Sequence, residues 1–292
     1  MTGPFKIATA QYPIGSPADW SEYETKIRAW VAQATDANAS LLVFPEYFSM
    51  ELVHLFPENI QKSLGLQLDA LQTLKEGFIK LFGDLALQHG VHIVAGSFPI
   101  KDTDGLFRNR SYLFFPDGHH EHQDKVQMTR FENEQWGISP GHHLRTFETS
   151  LGRIAINICY DSEFPILARR QVEAGADLIV VPSCTDTVAG YWRVRIGCQA
   201  RALENQCYVV QSPTVGHAPW SEAVDVNIGA AAVYTPVDYG FPDNGVLSIG
   251  DRNQPQWVYA EVDLGNIAHI RNHGQVFNHR DWPAQFRALD AH

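Results

Sequence analysis

No run in this chain approaches the roughly 20 consecutive apolar residues that a helix needs to cross a bilayer. The opening residues, MTGPFKIATAQYP, hold no basic segment followed by an apolar core, so no targeting signal is expected and the protein is expected to stay in the cytosol. Basic residues are scarce: 22 Lys plus Arg stand against 33 Asp plus Glu, a net charge of −11. That balance excludes a surface built to track the phosphates of nucleic acid or of anionic lipid. Small molecules and other protein subunits are the expected partners. Cysteine is scarce as well, and Cys159, Cys184, Cys198 and Cys207 are too few for a disulfide scaffold in a chain of 292 residues. They are expected to be free thiols. Nothing resembles a glycine-rich phosphate cradle, and no linker rich in Pro, Gly or Ser divides the chain.

What is present is enough apolar material, 45% of residues, to bury a large core in one compact unit. Residues Phe5 to Gln11 form a short β-rich run closed by Tyr12-Pro13. Trp20, Tyr23, Ile27, Trp30, Val31 and Ala34 then recur at three- and four-residue steps, as on an amphipathic helix. Leu41 to Phe44 is a continuous apolar run stopped by Pro45, the pattern of a strand buried on both faces. Leu68, Leu71, Leu74, Phe78, Leu81, Phe82 and Leu85 predict a second helix, and Val91 to Phe98 the next strand. This alternation is that of an α/β fold. It returns later, because Ala39-Ser-Leu-Leu-Val-Phe-Pro-Glu is echoed by Ala176-Asp-Leu-Ile-Val-Val-Pro-Ser. A helix from about Ala189 to Asn205 and a strand from Cys207 to Ser212 complete the second copy, so two related halves are expected. The domain is expected to span 1–264. The polar, His-rich tail 265–292 reads as an arm docking on a neighbouring subunit or as a loose end.

Three residues stand where chemistry is plausible. Cys159 ends an apolar strand and opens a segment containing Asp161, Glu163 and Pro165. A nucleophile at a strand end beside a helix start is open to substrate and has free N–H groups nearby to receive an oxyanion. The plainer reading, a buried structural cysteine, is kept for the other three. Glu46 follows its own apolar strand, at the sheet edge where α/β folds place ligand sites. Partial burial there should raise its pKa and suit it to accept a thiol proton; the alternative is an acid at a helix start. Lys125, in His-Gln-Asp-Lys-Val-Gln-Met after the strand-like Ser111 to Phe115, is on its own a solvated surface charge. As a site residue it would stabilise an oxyanion and help keep the thiolate ionised.

Taken together, Val43-Phe-Pro-Glu46, Asp124-Lys-Val-Gln-Met128 and Ile158-Cys-Tyr-Asp-Ser-Glu-Phe-Pro165 resemble the nitrilase superfamily of carbon–nitrogen hydrolases, from Lys6 to about Asp263. The resemblance implies a four-layer α-β-β-α sandwich and a Glu-Lys-Cys triad of Glu46, Lys125 and Cys159. It also implies no cofactor and no metal, and a homodimer or higher homo-oligomer joined through helices near the site. It points to a second glutamate, with Glu132 aligning best and Glu134 an alternative. Lys125 and the Tyr160 backbone N–H would hold the oxyanion. Tyr47, Phe131, Glu134, Glu163, Thr185, Asp186 and Trp192 are the expected substrate-binding residues, with Arg130 at the entrance beside Phe131 and with Thr187, Tyr191 and Arg193 among the expected specificity residues.

Many amide-cleaving relatives carry arginine where this chain has Glu163, so any role of that arginine is not carried over. Nitrile-cleaving relatives usually read Cys-Trp-Glu at the nucleophile, whereas Cys159-Tyr160-Asp161 favours amide or N-carbamoyl substrates. Nitrile hydrolysis, a Cys-His amidotransferase and a catalytically silent binding subunit are the competing readings. The histidines at His119, His120, His122, His142 and His143 sit in turn-rich polar surroundings without the helical pairing of a metal motif.

Overall fold

The computed structural model describes residues 3–288. Its first half runs β1 (Phe5–Pro13), helix Trp20–Asp36, β2 (Leu41–Phe44), helix Lys75–His89 and β3 (His92–Ala95), followed by β4 (Phe98–Lys101), β5 (Phe107–Phe114) and β6 (His120–Asp124). The second half runs β7 (Thr146–Thr149), β8 (Gly152–Ile156), helix Pro165–Glu173, β9 (Leu178–Ser183), helix Val188–Asn205 and β10 (Tyr208–His217). In each half three parallel strands alternate with helices, β2 lying between β1 and β3, and β9 between β8 and β10. The sequence echo at 39–46 and 176–183 therefore marks the central strand of each sheet.

Apolar strands with no polar alternation predict burial on both faces, and the packing explains the two directions. Leu42, Phe44, Ile93 and Ala95 pack against Tyr23, Ile27, Val31, Phe78 and Phe82 of the outer helices. Their neighbours Leu41, Val43 and Val94 share the other core with Ile154, Ile156, Val180 and Val210 of the second sheet. Ala168, Val172, Cys198 and Ala202 bring the helices Pro165–Glu173 and Val188–Asn205 onto that core. The order is helix, sheet, sheet, helix, a four-layer α-β-β-α sandwich. Each Leu, Ile, Val or Phe withdrawn from water in it contributes roughly 1.5–3 kcal/mol. Buried hydroxyls stitch the sheets together: Ser212 Oγ donates to the carbonyls of Ala10 (2.8 Å) and Val43 (3.0 Å), and Thr9 Oγ1 to that of Gln211 (2.8 Å). The sheets merge where Tyr12 and Pro13 pair with Thr214 and Val215.

Two expected elements are divided. The helical pattern over 68–85 breaks at Gln72–Leu74, because the Gln72 amide bonds to the Pro99 carbonyl and to the Lys101 N–H on β4. The strand expected over 91–98 stops at Ala95, because Gly96 takes φ +52° and lies so close under Pro45 that a Cβ would strike its carbonyl oxygen.

Beyond the strand Gln256–Val262, which pairs antiparallel with β1, the helix Leu264–His273 buries Ile267 and Ile270. Arg271 pairs with Asp177 at 2.5 Å. The Arg169 guanidinium donates to the His279 carbonyl and stands 5.0 Å over the Trp282 ring, so this segment crosses the outer helices of the second half. The end of the expected arm, 289–292, lies outside the described residues. No helix among the described residues is long and apolar enough to cross a membrane.

Candidate active site

Glu46, Cys159 and Thr185-Asp186 each follow the carboxyl end of a parallel strand, β2, β8 and β9 respectively, at one edge of the sandwich. Lys125 enters the same edge from the end of the β5–β6 hairpin. The turns are strained and held. Tyr47, next to Glu46, has φ +55°, and its N–H donates to Ser97 Oγ at 2.9 Å. Cys159 has φ +49°, in the left-handed region that costs a residue bearing a Cβ on the order of 1–3 kcal/mol. The turn Cys159–Glu163 is braced from below, since Gly197 of the helix Val188–Asn205 lies so close to the Ser162 carbonyl that a Cβ would stand 2.9 Å from its oxygen. Asp161 accepts the N–H groups of Gln127 (2.7 Å), Val126 (3.1 Å) and Ile158 (3.1 Å), tying the Lys125 loop to the Cys159 turn. Burial pushes the Asp161 carboxyl up to about 7 despite these donors.

At the floor, Lys125 Nζ donates to Glu46 Oε1 at 2.8 Å and to Glu132 Oε2 at 2.7 Å, and all three side chains are almost wholly buried. The two carboxylates differ in supply. Glu132 also accepts from Tyr47 OH (2.7 Å), Thr129 N (2.9 Å), Thr129 Oγ1 (2.8 Å) and Asn109 Nδ2 (3.3 Å). Glu46 has Lys125 and Asn109 Nδ2 (2.8 Å); it borders the same cavity as the Cys159 thiol, which itself donates to the Cys184 carbonyl at 3.8 Å. Burial therefore raises Glu46, whereas the donors around Glu132, led by Lys125, overcome its burial and hold it below the ordinary carboxylate value. The Lys125 ammonium, between two acids, is held well above its usual value against its own burial. One cation between two acids whose proton affinities are driven apart is an arrangement suited to proton transfer.

Cys159 is 4% exposed, and burial together with the Glu46 carboxylate pushes its thiol well up. The sequence predicts an open, acidic thiolate; the structure instead encloses the sulfur, and desolvation outweighs the attraction of Lys125. Ionisation of this sulfur must accompany proton transfer to a neighbour.

Above the thiol opens a cavity of about 390 Å³. Glu46, Tyr47, Lys125, Phe131, Glu132, Cys159, Tyr160, Glu163, Thr185 and Asp186 all border it, so most of the expected site residues are brought together. Arg130 and Arg193 stand at the same opening. Glu134 and Trp192 do not border it. Glu134 points to solvent and pairs with Arg130 at 2.8 Å, and Trp192 is 43% exposed under the Arg195 guanidinium. Residues two apart on a helical turn face opposite ways, so turning Glu132 inward sends Glu134 out. No histidine among the described residues borders the cavity. His119 stacks on Phe115 and His120 packs on Tyr112, both at the β5–β6 hairpin.

No sequence signal marks Asn109, Trp136 or the loop Glu222–Val226, all part of this site or its wall. They come from distant segments, and nothing in their local composition marks them.

Comparison with known proteins points one way. The profile of the carbon–nitrogen hydrolase family matches residues 6–272. The chain is 37% identical over 278 residues to the probable hydrolase YhcX of Bacillus subtilis (strain 168), covering 95% of this chain and 53% of that protein. It thus spans about half the length of that relative. It is 27% identical to the omega-amidase NIT2 of Homo sapiens over 94% of this chain and 95% of that one. The crystal structure of Saccharomyces cerevisiae Nit3, a member of branch 10 of the nitrilase superfamily, superposes with a TM-score of 0.74 at 23% identity, covering 92% of this chain and 93% of that one. At that identity the likeness speaks for the fold.

Proposed function

The chain belongs to the carbon–nitrogen hydrolase family of the nitrilase superfamily, and we propose that it hydrolyses a non-peptide C–N bond, amide or N-carbamoyl, of a small molecule through a thioester on Cys159. The observation that carries this reading is Lys125 Nζ set between Glu46 and Glu132, with the Cys159 thiol bordering the same cavity.

In the reading, Glu46 accepts the thiol proton as sulfur attacks the carbonyl carbon. The Lys125 ammonium has three hydrogens and uses two on Glu46 and Glu132. The third, with the Tyr160 N–H at the start of its turn, receives the oxyanion. The negative charge passes from carboxylate to sulfur to oxygen, always near the same cation, so the dry site never has to bury a new charge. Collapse breaks the C–N bond, and ammonia or an amine leaves with the proton from Glu46. Water then enters, gives a proton to Glu46 with Glu132 at its back, and cleaves the thioester to release the acid and restore the thiol.

The cavity wall has six carboxylates, Glu46, Glu132, Glu163, Asp186, Glu222 and Asp225, against Lys125, Arg130 and Arg193. Each of these cations already faces an acid, Arg193 standing 3.6 Å from Glu163. Asp186, Glu222 and Asp225 have no such partner among the described residues, which favours a neutral or cationic substrate over an anionic one. The four free cysteines fit a reducing compartment such as the cytosol. For assembly we favour a homodimer or higher homo-oligomer through the outer face of the second half. There Val188, Trp192 and Ile196 repeat at helical spacing beside Ile166, all exposed, with the arm from 265 onward lying across the same layer. Light scattering of wild type and Ile196→Glu tests this.

The deciding experiment is intact-mass detection of an acyl adduct across short amides, ω-amides, N-carbamoyl compounds and nitriles. An adduct on the wild type that is absent in Cys159→Ala supports the mechanism. Undiminished turnover in Cys159→Ala overturns it.

A further inference from the structure

Asn109 on β5 is wholly buried, and its side chain touches two carboxylates while its main chain bonds that of Lys125. Its Nδ2 donates to Glu46 Oε1 at 2.8 Å and to Glu132 Oε1 at 3.3 Å, and its main-chain carbonyl accepts the Lys125 N–H at 2.9 Å. Its Oδ1 has no partner among the described residues. A buried carbonyl oxygen left bare is unfavourable, and its retention asks for a reason at the other end of the amide. The amide cannot turn over to satisfy it, because its oxygen would then face two carboxylates.

The consequence of the contact differs for the two acids. Without Asn109, Glu132 keeps Lys125, Tyr47 and both Thr129 donors. Glu46 keeps Lys125. Both donors to Glu46 meet the same oxygen, Oε1, and two donors on one oxygen fix the rotation of the carboxylate where a single flexible ammonium does not. Oε2 takes neither of these two bonds. We propose that Asn109 is a positioning residue that holds the Glu46 carboxylate ionised and aims its second oxygen at Cys159. The proposal rests on the reading of Glu46 as the base.

The test is the pH profile of kcat/KM for Asn109→Ala and Asn109→Asp with a short amide, alongside Glu46→Gln. A donor to the charged form lowers the pKa of the acid that it serves, so its loss in Asn109→Ala moves the acidic limb up by about one pH unit. On the acidic limb, below both midpoints, that unit is a roughly tenfold fall in kcat/KM, and above them the variant converges on the wild type, with KM little changed. Asn109→Asp keeps the shape of the side chain, so it tests the idea even if the alanine variant folds poorly. By adding a third carboxylate it moves the limb further in the same direction. An unmoved limb in both variants, with activity lost only through KM or through the amount of folded protein, overturns the proposal. Undiminished turnover in Glu46→Gln instead removes the base reading on which it rests, an outcome separable from any result at Asn109.

Discussion

The ammonium of Lys125 lies 2.8 Å from Glu46 Oε1 across 79 residues of chain, with neither side chain more than 2% exposed. A cation so placed cannot be lost quietly, since its removal leaves two acids buried without their counter-charge. Lys125→Met, close in length but uncharged, is expected to lose stability by about 3–5 kcal/mol and to lose turnover with it. Urea unfolding measures the first and release of ammonia or amine the second. An unchanged unfolding midpoint would contradict the buried pairing.

Burial raises Glu46 above its ordinary value of 4.5, and the proposed mechanism needs it ionised. Activity should therefore climb with pH through a midpoint above 4.5. Initial rates between about pH 4 and 8 give the limb, a range that brackets carboxylates raised by burial. A midpoint at or below the ordinary value would assign the limb to another group.

The Cys159 thiol is enclosed but borders the cavity, whereas Cys198 and Cys207 are buried in the core with thiols pushed up to about 12. Iodoacetamide, itself a small amide, should label Cys159 ahead of those two, and more slowly in Glu46→Gln where the proton acceptor is gone. Peptide mass mapping follows this. Equal labelling of all four cysteines would remove the distinction.

The unpaired carboxylates at the cavity mouth predict charge selectivity. Among amides of equal length, those with a cationic tail should have a higher kcat/KM than those with an anionic tail. The gap should narrow in Glu222→Gln/Asp225→Asn and at high salt, where exposed charges are screened. Steady-state kinetics on matched substrates decides it, and preference for the anionic tail would refute it.

Asp161 supplies a pH dependence of stability. Its carboxyl is raised from 3.8 to about 7, so the folded state binds this proton more tightly than the unfolded chain. The resulting stabilisation is complete below 3.8 and is lost as pH rises through about 7. Wild type should thus lose stability relative to Asp161→Asn over that interval, as read from urea midpoints at several pH values. A difference that stays constant with pH would show that Asp161 does not titrate there.

Much of this protein is legible without coordinates. Continuous apolar runs such as Leu41–Phe44 and Leu178–Ser183 encode doubly covered strands, and the helical spacing from Trp20 to Ala34 encodes a covering helix. The placement of Glu46 and Cys159 just past apolar runs marks a sheet edge. These are local properties, because period and burial act over a few residues and need no knowledge of what packs on the other side.

Other features were decided only when distant segments met. Lys125 on its own reads as a surface charge, singled out only by the family resemblance, and it is the β5–β6 hairpin that carries it between two acids. The choice of Glu132 over Glu134 depends on which side of one turn faces the cavity, and Trp192 points outward for the same reason. Asn109 has no local mark at all, since its role arises from contacts with residues 63 and 23 positions away. Sequence determined the alternation of strands and helices, because that follows from neighbours in the chain, while the four layers and the triad were expected from the family resemblance. Tertiary structure decided the ionisation states and the members of the site, because electrostatics in a dry interior depends on groups that only folding brings within 3 Å or so of one another.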